Sequence, residues 1–327
     1  MYDQYVNFGT SSLKVSKVAL GLGFRGQNDE KEAIKTINTA IDKGINLIDC
    51  ANVYGYMDDR KNIGSSEKLL SKIIKNKRND LVITSKLASP MGNGPNDKGV
   101  SAYHIINQVE KSLQRLSTDR IDIYIFHVFD SISSFEEQFR AMEILKSQGK
   151  ILYVGVSNFK AWQVVQALRV QDSINANPLL CVQNPYSLLN REAENEMFPM
   201  IKDIGLGFMA YSPLGVGLLS GTYKPGEKPK KNTLWGTKRK DDYEKFLSGE
   251  TGLFINKLDE ISKKLGIKMS QLAISWVLSH PEVTLAISGA DNSDQISEAA
   301  HAMTIKLPLE IIKELDEASC RLNHILD

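Results

Sequence analysis

A chain of 327 residues with 42% apolar content can bury a large core, and its 40 basic and 39 acidic residues create no global attraction for polyanions, so nucleic acid is not an expected partner. No segment approaches the roughly 20 apolar residues that a bilayer crossing needs, and MYDQYVNFGTSSLKV lacks a basic region followed by an apolar run, so the expectation is a soluble, cytoplasmic protein with no membrane partner. Cys50, Cys181 and Cys320 are odd in number and far apart, which suits a reducing compartment and structural thiols rather than a disulfide framework or a zinc site.

In chain order, residues 5–15 read as a small hairpin turning at Gly9-Thr10-Ser11-Ser12. Eight apolar or β-branched runs follow, at 17–22, 46–51, 81–87, 121–127, 152–156, 179–183, 207–211 and 284–288. Between them lie amphipathic stretches at 29–43, 65–76, 102–116, 135–147, 161–170 and 192–203, several closed by Gly44, Gly149 or Gly205. The segment 215–250 contains KPGEKPKKNTLWGTKRKDD, whose polarity predicts a mobile loop over the mouth of the fold. Helices are expected at 253–265 and 270–279, with a final amphipathic helix at 309–322. The runs are apolar throughout rather than alternating, as in parallel strands covered on their outer face. Eight βα units therefore predict a (β/α)8 TIM barrel with an N-terminal β-hairpin and extra C-terminal helices, a single domain over 1–327.

A competing pattern is Gly21-Leu22-Gly23-Phe24-Arg25-Gly26, which matches GxGxxG after a strand, with Asp49 placed like a ribose-binding acid. In a Rossmann turn the third glycine already packs inside the helix, whereas here the helix starts only near Asn28-Asp29. The repeat also runs to eight strands, so these glycines read as a first βα loop.

Barrel chemistry sits at the C-terminal ends of strands. Strands two, three and four end in LIDCANVYG, VITSKL and IFHVFD, and neighbouring strands lie about 4.8 Å apart, so Asp49, Lys86 and His127 should share one rim with Tyr54 just beyond Asp49. Singly, Asp49 reads equally well as a turn cap, Tyr54 as an interface aromatic and His127 as a core histidine. Together with a lysine ending an apolar strand, they read as a site. Lys86, held by Asp49, is expected to lower the Tyr54 pKa and make it a general acid, while His127 orients a carbonyl oxygen and stabilises developing alkoxide. One His and one Asp fall short of a metal site. Lys86 as a Schiff-base amine is a weaker alternative, because Asp49 would keep it protonated.

These residues resemble the aldo-keto reductase superfamily, in particular its bacterial sugar/inositol dehydrogenase and potassium-channel β-subunit-like branch. Asp49 to Gly55 matches DxAxxYG, Gly64 to Leu70 resembles GxSExxL, and GVSNF stands at 155–159; the likeness covers nearly the whole chain. It implies a (β/α)8 barrel, the tetrad Asp49, Tyr54, Lys86 and His127, and NAD(P)(H) as cofactor. It further implies that Ser157, Asn158 and Gln183 hold the nicotinamide carboxamide and that Tyr211 stacks on the ring. Ser212, Leu214, Gly215, Gly217 and Leu219 would line the pyrophosphate, and Gly21, Leu22 and Gly23 would touch cofactor through their backbone. The family's IPGAK/R…Q…EN stretch becomes Ile287-Ser288-Gly289-Ala290-Asp291-Asn292 with Gln295, Glu298 and Ala299, so Ser288 to Asp291, Gln295 and Glu298 are further cofactor candidates. Asp291 stands where a base usually meets the 2′-phosphate, which predicts use of NADH at least as well as NADPH; Lys238, Arg239 or Lys240 is the alternative phosphate partner.

On the substrate side Phe129 follows from a departure, since LHxPD appears as Phe126-His127-Val128-Phe129-Asp130. Arg25 stands where relatives carry an aromatic, and its fork suggests an anionic or polyhydroxylated substrate, an ordinary surface arginine being the plain alternative. The implied partner is a small carbonyl or polyol, with a homo-oligomer left open. The alternative function is a cofactor-binding regulatory subunit with little turnover. Substrate choice is expected in loops 57–61, 89–99, 129–133 and 222–242, which carry no motif.

Overall fold

The structure, a computed structural model, describes residues 4–231 and 233–322, so both ends of the expected 1–327 domain lie outside the described residues. Strands β1 (Tyr5–Asn7) and β2 (Lys14–Ser16) pair antiparallel. Eight parallel strands follow: β3 (Val18–Gly21), β4 (Leu47–Asp49), β5 (Val82–Leu87), β6 (Ile121–Phe126), β7 (Ile151–Ser157), β8 (Cys181–Pro185), β9 (Gly207–Tyr211) and β10 (Leu285–Gly289). They close in the order β10-β3-β4-β5-β6-β7-β8-β9, a TIM barrel in which every expected strand is present. Closure rules out the doubly wound alternative, and α1 (Glu30–Asp42) begins after its Asp29 cap, beyond Gly26.

The remaining helices are α2 (Ser65–Ile74), α3 (Ala102–Leu116), α4 (Phe135–Ser147), α5 (Ala161–Ser173), α6 (Met197–Ile204), α7 (Lys240–Leu247), α8 (Gly249–Leu265), α9 (Met269–Ser279), α10 (Ser293–Ala302) and α11 (Leu309–Ser319). None of the described helices is long and apolar enough to cross a membrane. Helices α7 and α10 were not expected. Nor is 215–250 a loop too polar to pack. Trp235 is fully buried there, its Nε1 donates to the Val216 carbonyl at 2.9 Å, and its ring meets Tyr243 and Phe246 of α7. One buried indole organises a segment whose composition is otherwise solvent-loving.

Two apolar layers explain why the strands read as continuous runs. Ile48, Ile83 and Tyr124 face the helices, whereas Leu47, Val82, Ile123, Cys181, Met209 and Leu285 fill the barrel interior. Phe8 and Val15 of the hairpin join the interior set and plug the N-terminal end. Because side chains alternate along a strand, the inward series continues past these apolar layers to Asp49, Lys86, Gln183 and Tyr211 at the opposite rim. Buried Glu67 braces that half from outside, accepting from Ser85 Oγ and Arg115 Nε at 2.6 Å each and so joining α2, β5 and α3.

Candidate active site

The inward-facing top layer creates the site. Asp49 pairs in register with Thr84, and Lys86 lies two residues further along β5 on the same face. Lys86, with no exposed surface, reaches Asp49 Oδ2 at 2.6 Å and the Cys50 carbonyl at 3.0 Å. The other Asp49 oxygen accepts from Thr84 Oγ1 at 2.5 Å and Gln183 Nε2 at 3.0 Å. The carboxylate is thus fixed from two strands, β5 and β8. The Lys86 ammonium stands 4.6 Å from the Tyr54 ring centroid, and the Tyr54 hydroxyl lies 3.5 Å from His127 Nε2. His127 is held by its own N–H on the Leu87 carbonyl at 2.9 Å and by its carbonyl, which accepts from Asn158 Nδ2 at 2.9 Å.

Electrostatics sort the protonation states. Burial pulls the Lys86 pKa down, but Asp49, Tyr54 and Cys50 outweigh it and push it up to about 12. Lys86 is therefore a held ammonium and a poor nucleophile, which disfavours the Schiff-base alternative. Burial, then Lys86, Arg25 and Arg60, lower His127 to about 3, so the imidazole is neutral. Tyr54 differs from expectation: burial raises the phenol by more than Lys86 lowers it. Tyr54 rests protonated, and the ammonium's effect grows only as negative charge develops on its oxygen. Buried His127 Nδ1 has no partner. An orphaned N–H is rarer in folded proteins than an orphaned acceptor, so we assign the ring proton to Nε2, which faces Tyr54 and the cleft.

Asp49, Tyr54 and His127 line a cleft of about 820 Å³, a volume in the range that holds small molecules and cofactors. The expected cofactor residues Gly21, Gly23, Ser157, Asn158, Gln183, Tyr211, Ser212, Leu214 and Gly217 line it as well, as do Ser288 to Asp291, Gln295 and Glu298. Leu22, Gly215 and Leu219 do not line it; Leu22 and Leu219 are buried in the packing beneath. The wall fits a nicotinamide dinucleotide. Tyr211 OH donates to Asn158 Oδ1 at 2.8 Å, which fixes the phenol plane, and a Cβ on Gly23 would meet nothing within 4 Å. Gly215 and Gly217, expected to offer N–H groups to phosphate, instead donate them to Ser212 and Leu214 carbonyls. Most non-glycine residues with positive φ lie in loops at this rim, among them Phe24, Met57, Asp58, Asn158, Ser212 and Val216.

Asp291 has a neighbour that the sequence did not reveal. Its carboxylate lies against Gly26, where a Cβ would sit 2.4 Å from Oδ2, and Gln27 Nε2 donates to its carbonyl at 2.7 Å. Asp291 thereby clasps the β3–α1 loop to the β10–α10 turn. Burial raises its carboxyl pKa, offset by the Gly26 N–H. Lys238 instead bonds the Met57 carbonyl and Arg239 lies over Trp235, so neither lines the cleft.

Arg25 lines the cleft and Phe129 does not: its ring packs among Phe135, Phe159 and Trp162. Arg60, within the expected substrate loop 57–61 but not singled out there, also lines the cleft, as do Lys268 and Ser270, which sequence reading missed. Lys268 and Ser270 both bind the Glu298 carboxylate, a contact between α9 and α10 that no local motif announces.

The sequence profile of the Aldo/keto reductase family matches residues 6–319. The chain is 34% identical over 322 residues to a Bacillus subtilis (strain 168) protein named Uncharacterized oxidoreductase YrpG, covering 96% of this chain and 95% of that one. It is 33% identical over 322 residues to a probable voltage-gated potassium channel subunit beta of Oryza sativa subsp. japonica, covering 96% and 95%. A protein of the same description from Arabidopsis thaliana is 33% identical over 312 residues, covering 94% and 92%. Since the match runs from the hairpin through the whole barrel to α11, the chain belongs to the aldo/keto reductase family.

Proposed function

We propose that the protein is an NAD(P)(H)-dependent carbonyl reductase or alcohol dehydrogenase acting on small aldehydes, ketones or sugar-like polyols, with Tyr54 as proton donor, Lys86 and Asp49 as its tuning pair and His127 as the group that orients the carbonyl. The observation that carries this reading is the Tyr54 hydroxyl, 3.5 Å from His127 Nε2 in the cleft wall with the Lys86 ammonium behind its ring. A bound nicotinamide would supply or accept the hydride. Gln183 gives its amide N–H to Asp49 and keeps Oε1 for a bound group, beside Ser157 and Asn158.

During reduction, Tyr54 gives its hydroxyl proton to the substrate oxygen, and the phenolate left behind is stabilised by Lys86. The neutral His127 donates from Nε2 to the same oxygen, fixing its direction without a competing proton transfer. Asp49 keeps Lys86 charged and in place. In the opposite direction phenolate takes the alcohol proton.

NADH is expected to bind at least as well as NADPH. Asp291 carries negative charge into the adenosine end, and the cation lining that wall, Lys268, is already paired with Glu298. NADPH binding at least tenfold tighter in fluorescence titration would overturn this preference.

The plant relatives motivate a second reading, a cofactor-binding regulatory subunit with little turnover. Tyr54→Phe separates the two. For an enzyme it should cut turnover of a carbonyl panel by roughly 10²–10⁴-fold while leaving cofactor affinity within a few-fold. No turnover by the parent, with cofactor bound, would favour the regulatory reading.

A further inference from the structure

Two guanidinium groups line the cleft without an ion-pair partner among the described residues. Arg25 comes from the loop after β3 and Arg60 from the loop after β4, and both line the cleft with Tyr54 and His127. Among the described residues neither forms an ion pair, and the Arg25 side chain makes no hydrogen bond. Arg60 is steadied on one edge only, donating from Nη1 to the Pro90 carbonyl at 3.0 Å, which leaves Nε and Nη2 unspent. Asp58 and Asp59 line the same cleft, but Asp59 caps its own turn by accepting from Lys61 N at 3.0 Å, and neither acid forms an ion pair with Arg25 or Arg60. Both arginines also reach the reacting corner electrostatically, since each helps to keep His127 neutral. Unpaired guanidinium forks brought to one cleft by two loops are suited to a planar or tetrahedral oxyanion.

We propose that Arg25 and Arg60 form a two-armed clamp that selects carbonyl substrates bearing a carboxylate or phosphate a few bonds from the carbonyl. The clamp rests on the carbonyl-reduction reading above and specifies its substrate class. Arg25 alone resembles a surface arginine; Arg60, brought beside the same cleft by a separate loop, makes the pair a site. The clamp acts on binding rather than on chemistry, so it belongs in KM.

The experiment compares substrates matched in skeleton: succinic semialdehyde against butanal for carboxylate, and glyceraldehyde 3-phosphate against glyceraldehyde for phosphate. The parent, Arg25→Gln, Arg60→Gln and the double variant are assayed, with Arg140→Gln, an exposed arginine paired with Glu136 on α4, as control. The parent should prefer at least one anion over its neutral mate by tenfold or more in kcat/KM. That ratio should fall at least tenfold in the double variant, through KM, stay unchanged in Arg140→Gln, and decline in the parent as salt rises. Which substrate pair responds distinguishes carboxylate from phosphate. A ratio unchanged in the double variant overturns the clamp while leaving carbonyl reduction standing. If no carbonyl turns over, succinate and inorganic phosphate are titrated against the NADH-bound protein by fluorescence. Binding lost in the double variant upholds the clamp without the enzyme reading, and binding absent from the parent or equal in both overturns it.

Discussion

At the residue scale the site separates two histidine states that share a shape. His127 stays neutral down to about pH 3, so it cannot supply an acid limb near the ordinary histidine value of 6.5. Tyr54, raised above 10, should remain a proton donor through neutral and mildly alkaline pH. For reduction, kcat/KM is therefore expected to be level from pH 6 to 9, and a limb with an apparent pKa near 6.5 that vanished in His127→Asn would contradict the assignment. Gly26 offers a second test. A Cβ there would sit 2.4 Å from Asp291 Oδ2, so Gly26→Ala must push the carboxylate away and loosen the clasp between the β3–α1 and β10–α10 loops. Cofactor affinity should weaken about tenfold, roughly 1.4 kcal/mol, with little change in melting temperature because the displaced groups lie at the rim. Isothermal titration of the parent and variant measures this.

At the element scale the segment 222–248 hangs on Trp235. Truncating a buried indole typically removes about 3–5 kcal/mol of packing, and here it strips a neighbour from Tyr243 and Phe246, which with Tyr223 and Leu247 supply the rest of this polar segment's apolar packing. Trp235→Ala should therefore unfold α7 and the preceding turn locally while the barrel stays folded. Limited proteolysis should show new cuts within 222–248, and unchanged cleavage would mean the indole is not the anchor. The same segment shows where sequence legibility stopped. All eight barrel strands could be read because each repeats one local signal, a short apolar run between helix stops. Asp49, Lys86 and His127 could be read because strand ends are fixed by that repeat. Trp235 lies in a charged stretch and gains its role only through Val216, Tyr243 and Phe246, contacts that no periodicity encodes. Helix α10 was hidden by a short, small-residue sequence, SDQISEAAHA, in which Ile296 is the one large apolar side chain. Arg60 and Lys268 sit in loop and cap positions where an exposed cation is the ordinary reading, and only the folded cleft brings them to its wall.

At the scale of the whole molecule, stability should depend on pH through groups the fold keeps uncharged. Three histidines have lowered pKa values, and for each the leading cause is burial: His104, His127 and His280. Their unfolded forms bind a proton near 6.5 and their folded forms bind it only at lower pH, so their contribution is complete above 6.5 and is lost as pH falls. Glu194 adds to the same limb at lower pH. Burial raises it, but Arg191 and Tyr186 hydrogen bonds win and lower it, so its contribution fades as pH falls below the ordinary carboxylate value. On the alkaline side burial raises the Cys50, Cys181 and Tyr124 pKa values, so the unfolded chain loses protons from about pH 9 while the folded chain keeps them. Lys86, raised to about 12, adds a loss as pH passes from 10.5 toward 12. All these terms favour a plateau between about 6.5 and 9 with decline on both sides. The acid slope should approach about 1.4 kcal/mol per pH unit for each histidine that stays neutral. Urea midpoints measured from pH 4 to 10 give the profile, and His127→Asn should flatten its acid limb by up to one proton's worth. A profile that instead rose below pH 6.5 would mean that these histidines gain charge on folding, which would also remove the basis for a neutral, hydrogen-bond-donating His127 in the cleft.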